Sequence, residues 1–242
     1  LHVEGSYNAA ETEFDGQSEW TGSIVFQPEY SFRQIRAGRF RPSTGLRYDD
    51  HTMMVNNVPG AYGPPILPPG YAEYGIQYTE NSPDWLSLTL GVFDAANLAE
   101  SFVTNPDGNL QPLIGDEHSL LWLARAEYRP DWGGDVWRVV PGVSYFINDD
   151  FDMLNLFAGA GIGKRLSLIA DYSRSGKDGM RTTHNMMLEA GYRLLPPVML
   201  ILRGERGRTY TEVAGENEIE TYTNQGLVGA QIFILPSIEL RP

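Results

Sequence analysis

The chain of 242 residues carries 31 acidic and 18 basic side chains, a formal charge of −13, which argues against a general nucleic-acid binder. It has no cysteine, so disulfide frameworks, thiolate nucleophiles and thiolate metal sites are excluded. No run of about 18 apolar residues occurs, so no transmembrane helix is expected, although alternating membrane strands would leave no such run either.

The length suits one domain spanning residues 1–242. No leader peptide is visible and Leu1 already reads as strand, so the expectation is a mature product or one truncated at one or both ends. Leu1 to Tyr7 is a weak strand, followed by an acidic segment through Glu19. Trp20 to Tyr30 alternates Ile24, Phe26 and Tyr30 with Ser23, Gln27 and Glu29. Gln34 to Arg41 alternates imperfectly, which predicts a bulge near Gly38. A Pro- and Gly-rich segment then runs to Gly70; it cannot join a ladder as a central strand, and an ordered loop folding over or into the lumen is expected.

Tyr71 to Glu80 and Trp85 to Phe93 form a hairpin across Asn81-Ser82-Pro83-Asp84. A second long loop covers Asp94 to Glu117. His118 to Arg129 pairs with Val136 to Phe146 across Asp131-Trp132-Gly133-Gly134, and Phe151 to Gly161 pairs with Arg165 to Ser173 across Gly163-Lys164. The clearest hairpin lies between His184 and Arg206. Met186, Leu188, Ala190 and Tyr192 alternate with polar neighbours; Leu195-Pro196-Pro197 breaks the run, and Val198, Leu200 and Leu202 resume it. Strand side chains alternate between faces, so each run has one apolar and one polar face, and the proline pair must occupy the turn. A loop at Thr211 to Glu218, the strand Thr221 to Ile234 and a last strand near Pro242 complete the chain.

These elements predict an all-β, up-and-down antiparallel transmembrane β-barrel of about 12–14 strands. A soluble barrel would show the same alternation with its apolar face inward. Two features favour the membrane. Faces opposite the apolar ones carry Arg125, Glu127, Arg138, Asp171, Glu189, Arg193, Arg203, Glu205 and Glu239, which a small dry core would exclude. Aromatics gather near strand ends, at Trp20, Tyr30, Tyr78, Trp85, Tyr128, Trp137, Tyr145, Tyr172 and Tyr192, as interfacial girdles do. Leu86, Leu88, Leu90, Leu166, Leu168, Leu188, Leu200, Leu202 and Ile232 are expected to face lipid.

The segment Ala37-Gly38-Arg39-Phe40-Arg41-Pro42-Ser43-Thr44-Gly45-Leu46-Arg47-Tyr48-Asp49-Asp50-His51-Thr52 resembles porin-like bacterial outer-membrane proteins, in which a basic strand end runs into a Gly-Leu-Arg segment and a long loop. The resemblance implies a bacterial outer-membrane location and passive diffusion of small hydrophilic solutes through a water-filled lumen. Outer-membrane lipid and lipopolysaccharide are the implied surroundings, with a homo-oligomer or a protein partner as further options.

Arg33, Arg36, Arg39, Arg41 and Arg47 form the densest basic cluster, though Arg36 and Arg39 have opposite parity unless a bulge intervenes. Arg36, Arg39, Arg41, Arg125, Arg138, Arg193 and Arg203 are the candidate pore-lining, anion-binding residues. Arg33, Arg129, Arg138, Arg165, Arg193 and Arg241 lie near tight turns and could ring one mouth. Acidic residues gather instead in the long connections. Asp49-Asp50-His51 offers oxygen ligands or a base, but adjacent residues cannot all aim at one metal. His2, His118 and His184 fall on separate strands and no nucleophile elbow is present, so neither cofactor, metal nor catalytic site is expected. The rivals to a channel are a structural or conduit barrel enclosing a partner such as an electron-transfer cytochrome, and a membrane enzyme.

Overall fold

A computed structural model describes residues 2–8, 19–28, 32–46, 67, 71–99, 102–104, 110–112, 114–115, 119–130, 136–177, 181–211, 219–235 and 238–240. Strands β1 (His2–Asn8), β2 (Glu19–Phe26), β3 (Arg33–Phe40), β4 (Glu73–Glu80) and β5 (Leu86–Asp94) are followed by a one-turn helix α1 (Ala96–Ala99). Then come β6 (Phe102–Thr104), β7 (Leu110–Pro112), β8 (Leu120–Tyr128), β9 (Trp137–Ile147), β10 (Phe151–Ile162) and β11 (Leu166–Lys177). The last four are β12 (Arg181–Leu195), β13 (Val198–Thr211), β14 (Ile219–Leu235) and β15 (Ile238–Leu240).

Thirteen strands form one sheet in chain order, with every neighbouring pair antiparallel; β6 and β7 make a separate hairpin. Among the described residues β1 and β15 each have a single neighbour. The order is the up-and-down meander that the spacing of apolar runs predicts. Helix α1 and the small hairpin fall inside the segment read from sequence as a structureless loop, Asp94 to Glu117. Their runs are too short for a period of 2 or 3.6 to register.

The bulge expected near Gly38 does not occur. Register with β2 and β4 is continuous through Ser23↔Gly38 and Gly38↔Gly75. Gly38 takes φ 140°, and a Cβ there would overlap the Gly22 carbonyl, so the glycine admits a close strand approach without an extra residue. The broken alternation has another source: Phe40 points inward and packs edge-on against Phe93, ring centroids 5.4 Å apart. Register shifts occur instead between Arg193 and Leu195 and between Phe233 and Leu235, beside tight turns.

The wall is apolar outside and polar inside. On β12 and β13, Leu188 and Leu202 are 66% and 60% exposed, whereas the adjacent Glu189 and Arg203 are 4% and 5% exposed. Leu88, Leu90, Leu168, Leu200 and Ile232 are exposed on the same outer face, and Leu86 and Leu166 share it by register. All nine leucine and isoleucine positions expected to face outward therefore do so. Trp85, Tyr128, Trp137 and Tyr192 line the outer rim at the short-turn end, with Trp85 and Tyr128 in edge contact at 5.9 Å. The inner face is not uniformly polar. Phe40, Phe93, Phe146, Phe151, Met153 and Met187 pack with Leu67, Tyr71, Ala95, Leu98 and Ile114 into an internal apolar cluster toward the long-connection end.

Candidate functional site

Past Phe40 the chain turns back against the inner wall. Pro42, Ser43, Thr44 and Gly45 are buried, and Gly45 holds φ 68°, a conformation that glycine adopts without strain. The Gly45 amide donates to Ser144 Oγ at 2.9 Å, and its carbonyl accepts from Arg125 Nη2 at 3.2 Å. The Leu46 amide lies 3.5 Å from Asp171 Oδ2, and Leu46 reaches over Gly159. Below this turn the wall supplies a chain of hydrogen bonds. Ser144 Oγ donates to Asn155 Oδ1 (3.2 Å), Asn155 Nδ2 to Ser173 Oγ (2.6 Å), and Ser173 Oγ to Asp171 Oδ1 (2.9 Å). β9, β10 and β11 each contribute inward small polar residues, so a backbone turn can approach and find partners for its amides.

The long connections are anchored from the other side as well. Glu73, fully buried, accepts from the Asn97 and Leu98 amides at 3.1 and 3.0 Å and from Asn97 Nδ2 at 2.9 Å, which caps α1. Asn97 Nδ2 also donates to the Ala72 carbonyl at 2.5 Å. Tyr71 stacks edge-on against Phe146 at 6.3 Å. Burial pushes the Tyr71 hydroxyl well above its ordinary range, nearby Glu73 adds to the rise, and Arg41 opposes it. Ser43 to Leu46, Leu67, Tyr71 and the α1 turn thus lie against the inner wall of the sheet. This agrees with the expected inward loop for the described part of residues 42–70; most of that segment, including Asp49, Asp50 and His51, lies outside the described residues.

The predicted arginines separate into groups. Arg125 forms an ion pair with Glu127 and sits over the Phe157 ring at 4.9 Å. Glu127 also accepts from Arg129 Nη2 at 2.6 Å. Arg203, side chain 4% exposed, bonds Glu189 Oε2 through Nη2 at 2.7 Å and Nε at 2.8 Å, with Glu205 at 3.8 Å. Arg36 faces inward, donating to Ser23 Oγ at 2.8 Å and lying over Phe40 at 4.4 Å. Arg138 and Arg193 occupy inward register positions, opposite Gly161 and Met199, and are exposed at the short-turn end. Arg41 stands at the start of the inward turn, beside Tyr71.

Arg39 does not join them. With no bulge to reverse its parity it stands opposite outward-facing Tyr74, and its Nη2 reaches Asn97 Oδ1 at 3.4 Å. The basic cluster of residues 33–47 is therefore not one row. Arg33 pairs with Glu80 at 2.9 Å on the short-turn rim, and Arg47 lies outside the described residues. Among the described residues no group of His, Asp and Glu has the arrangement of a metal site. Of the histidines, His184 faces outward against Tyr172, its Nδ1 2.8 Å from the phenol oxygen.

The residues missed in the sequence are three neutral ones and one acid. Ser144 receives the turn at Gly45, Asn155 and Ser173 link Ser144 to Asp171, and Glu73 caps α1. Each occupies an inward parity position, which was the available signal, but nothing local marks a small polar residue as a docking partner for a distant turn.

No protein-family model and no curated protein matches the chain. Among solved structures it is similar to Pseudomonas aeruginosa OccK2 (OpdF), at 13% identity over 93% of this chain and 74% of that one, TM-score 0.40. It is similar to the outer membrane channel DcaP of Acinetobacter baumannii, at 11% identity over 91% and 68% of the two chains, TM-score 0.44. It is also similar to a loop-deletion mutant of OmpT, an outer membrane protein of Vibrio cholerae, at 11% identity over 93% and 74%, TM-score 0.42.

Proposed function

We propose that this chain is a porin-like channel of the bacterial outer membrane, through which small hydrophilic solutes diffuse passively. One observation carries the reading: consecutive residues of the same strands, Leu188 with Glu189 and Leu202 with Arg203, put an apolar side chain outside and a charged one inside. Such a wall is unstable in water as a sheet and suited to lipid outside with polar contents inside. The inward turn at Ser43 to Leu46, held to β8, β9 and β11, narrows the passage. An enclosed partner protein, the alternative, would compete for the interior that this turn, Leu67 and Tyr71 already occupy. No catalytic role is proposed.

The same reading includes a preference for anions. Arg138, Lys164, Arg165 and Arg193 are exposed at the short-turn end, where Arg33 and Arg129 are already paired with Glu80 and Glu127. Asp84, exposed in the turn between β4 and β5, opposes them at the same end, whereas loop acids more than a Debye length away, about 8 Å at physiological ionic strength, act weakly on a solute at this mouth. Vesicle swelling tests the channel: vesicles holding the protein should admit small sugars and amino acids at rates that fall with solute size. Swelling no faster than in empty vesicles, with the protein inserted, would reject it.

A further inference from the structure

The outer face of β11 to β14 changes character toward the long-connection end. On β12 the outward series Tyr192, Ala190, Leu188, Met186 gives way to His184; on β13 Leu200, Leu202 and Gly204 give way to Arg206 and Arg208. Arg174 on β11 stands opposite His184, which stands opposite Arg208, so the three are cross-strand neighbours on one face. Adjacent strands lie about 4.8 Å apart, which places the Arg174 and Arg208 backbones about 10 Å from each other.

Two of the three guanidinium groups, those of Arg206 and Arg208, lie over aromatic rings. Arg208 lies 4.3 Å from the Tyr210 ring centroid and 5.4 Å from that of Tyr222, and Arg206 lies 5.2 Å from Tyr222. Tyr172 bonds His184, whose ring contacts Tyr210 edge-on at 5.8 Å. Asp152 accepts from Arg174 at 2.8 Å and Glu220 from Arg208, and both arginine side chains remain more than two-fifths exposed. Among the described residues Arg206 has no carboxylate partner. This is the only concentration of arginine on the outward face among the described residues: the other outward arginines, Arg33 and Arg39, stand apart on β3.

We propose that this patch binds the phosphorylated headgroup of a glycolipid in the outer leaflet. The inference rests on the outer-membrane reading above, in which short turns face the periplasm and this end meets the outer leaflet. Planar guanidiniums on neighbouring strands present paired N–H groups that match phosphate oxygens. Tyrosines at the border of an apolar band sit at headgroup depth, ring in the acyl region and hydroxyl toward water. An apolar band directly below the arginines accommodates the acyl chains of the same molecule. A soluble anion would find the charge but no use for that band.

The test uses the full chain refolded into phosphatidylcholine vesicles, with insertion read by protease protection, and titrated with bisphosphorylated lipid A. Binding should weaken about fivefold for each arginine removed in Arg174→Gln, Arg206→Gln and Arg208→Gln. Replacement of all three by lysine should recover part of the loss, while Arg138→Gln should bind as the unmutated protein does. Dephosphorylated lipid A should bind weakly, and inorganic phosphate should not displace the lipid. Undiminished lipid binding by an inserted triple Gln variant, or equal binding of the dephosphorylated lipid, would overturn the proposal and leave the channel standing. Displacement by inorganic phosphate would overturn it in favour of a free-anion site. Failure of the unmutated chain to insert would remove the outer-membrane reading and the proposal together.

Discussion

Replacing Leu188 with arginine puts the membrane assignment to a quantitative test. Leu188 is the eighth of the fifteen residues of β12, 66% exposed on the outward face. Its cross-strand neighbours are Ala170 and Gly204, which offer no polar group for a guanidinium to bond. Four residues separate it from His184 and four from Tyr192, which border the apolar band, or about 13 Å along the strand in each direction. A tilt of about 40° makes this roughly 10 Å in height, so Leu188 lies midway between the two borders of the band. Leu188→Arg should therefore cost about 2–4 kcal/mol, and Leu194→Arg, next to the Pro196-Pro197 turn, only about 0–1 kcal/mol. Urea unfolding of the vesicle-inserted protein, monitored by tryptophan fluorescence, measures both. In water an exposed leucine exchanged for arginine changes stability by less than about 0.5 kcal/mol. Equal, small costs at the two positions would refute the depth argument and favour a soluble barrel.

Three further outcomes follow from the interior. Arg203→Met leaves Glu189 and Glu205 buried without their cation, and should destabilise by about 3–5 kcal/mol in the same unfolding assay; adding Glu189→Leu should recover part of that loss. Gly45→Val places a branched side chain on a φ of 68° with its Cβ 3.0 Å from Asp171 Oδ2, so the inward turn should detach. Faster swelling with larger solutes would register that change, and an unaltered size dependence would remove the turn from the constriction. Across a potassium chloride gradient the reversal potential should indicate anion preference and move toward cations in Arg138→Glu with Arg193→Glu. Arg39→Glu should leave it unchanged, because Arg39 lies at the long-connection end, opposite Tyr74 and bonded to Asn97, away from the short-turn mouth.

Strand positions were legible because alternation survives wherever one face is apolar and exposed and the other is polar and enclosed. Leu86, Leu88 and Leu90, or Leu200 and Leu202, mark their faces without any knowledge of partners. The same rule fails where the interior is itself apolar. Phe40, Phe93, Phe146 and Met187 face inward beneath the long connections, and Phe40 reads as a phase error because it is an apolar residue on the inner face, packed on Phe93 and under Arg36. Register places Arg39 opposite Tyr74 while its guanidinium reaches Asn97 of α1, a contact that its neighbours in sequence do not encode. The docking of Gly45 between Arg125 and Ser144 depends on contacts 80 and 99 residues away, which no local pattern encodes. The outward arginine patch was hidden for a related reason. Arg174, His184 and Arg208 belong to three strands and become neighbours only through register.

Electrical recording from a planar bilayer tests the central claim most directly. Addition of the purified chain should give discrete, stepwise increases in conductance that scale with salt concentration. Inserted protein, verified by recovery from the bilayer lipid, that leaves the membrane electrically silent would contradict the channel.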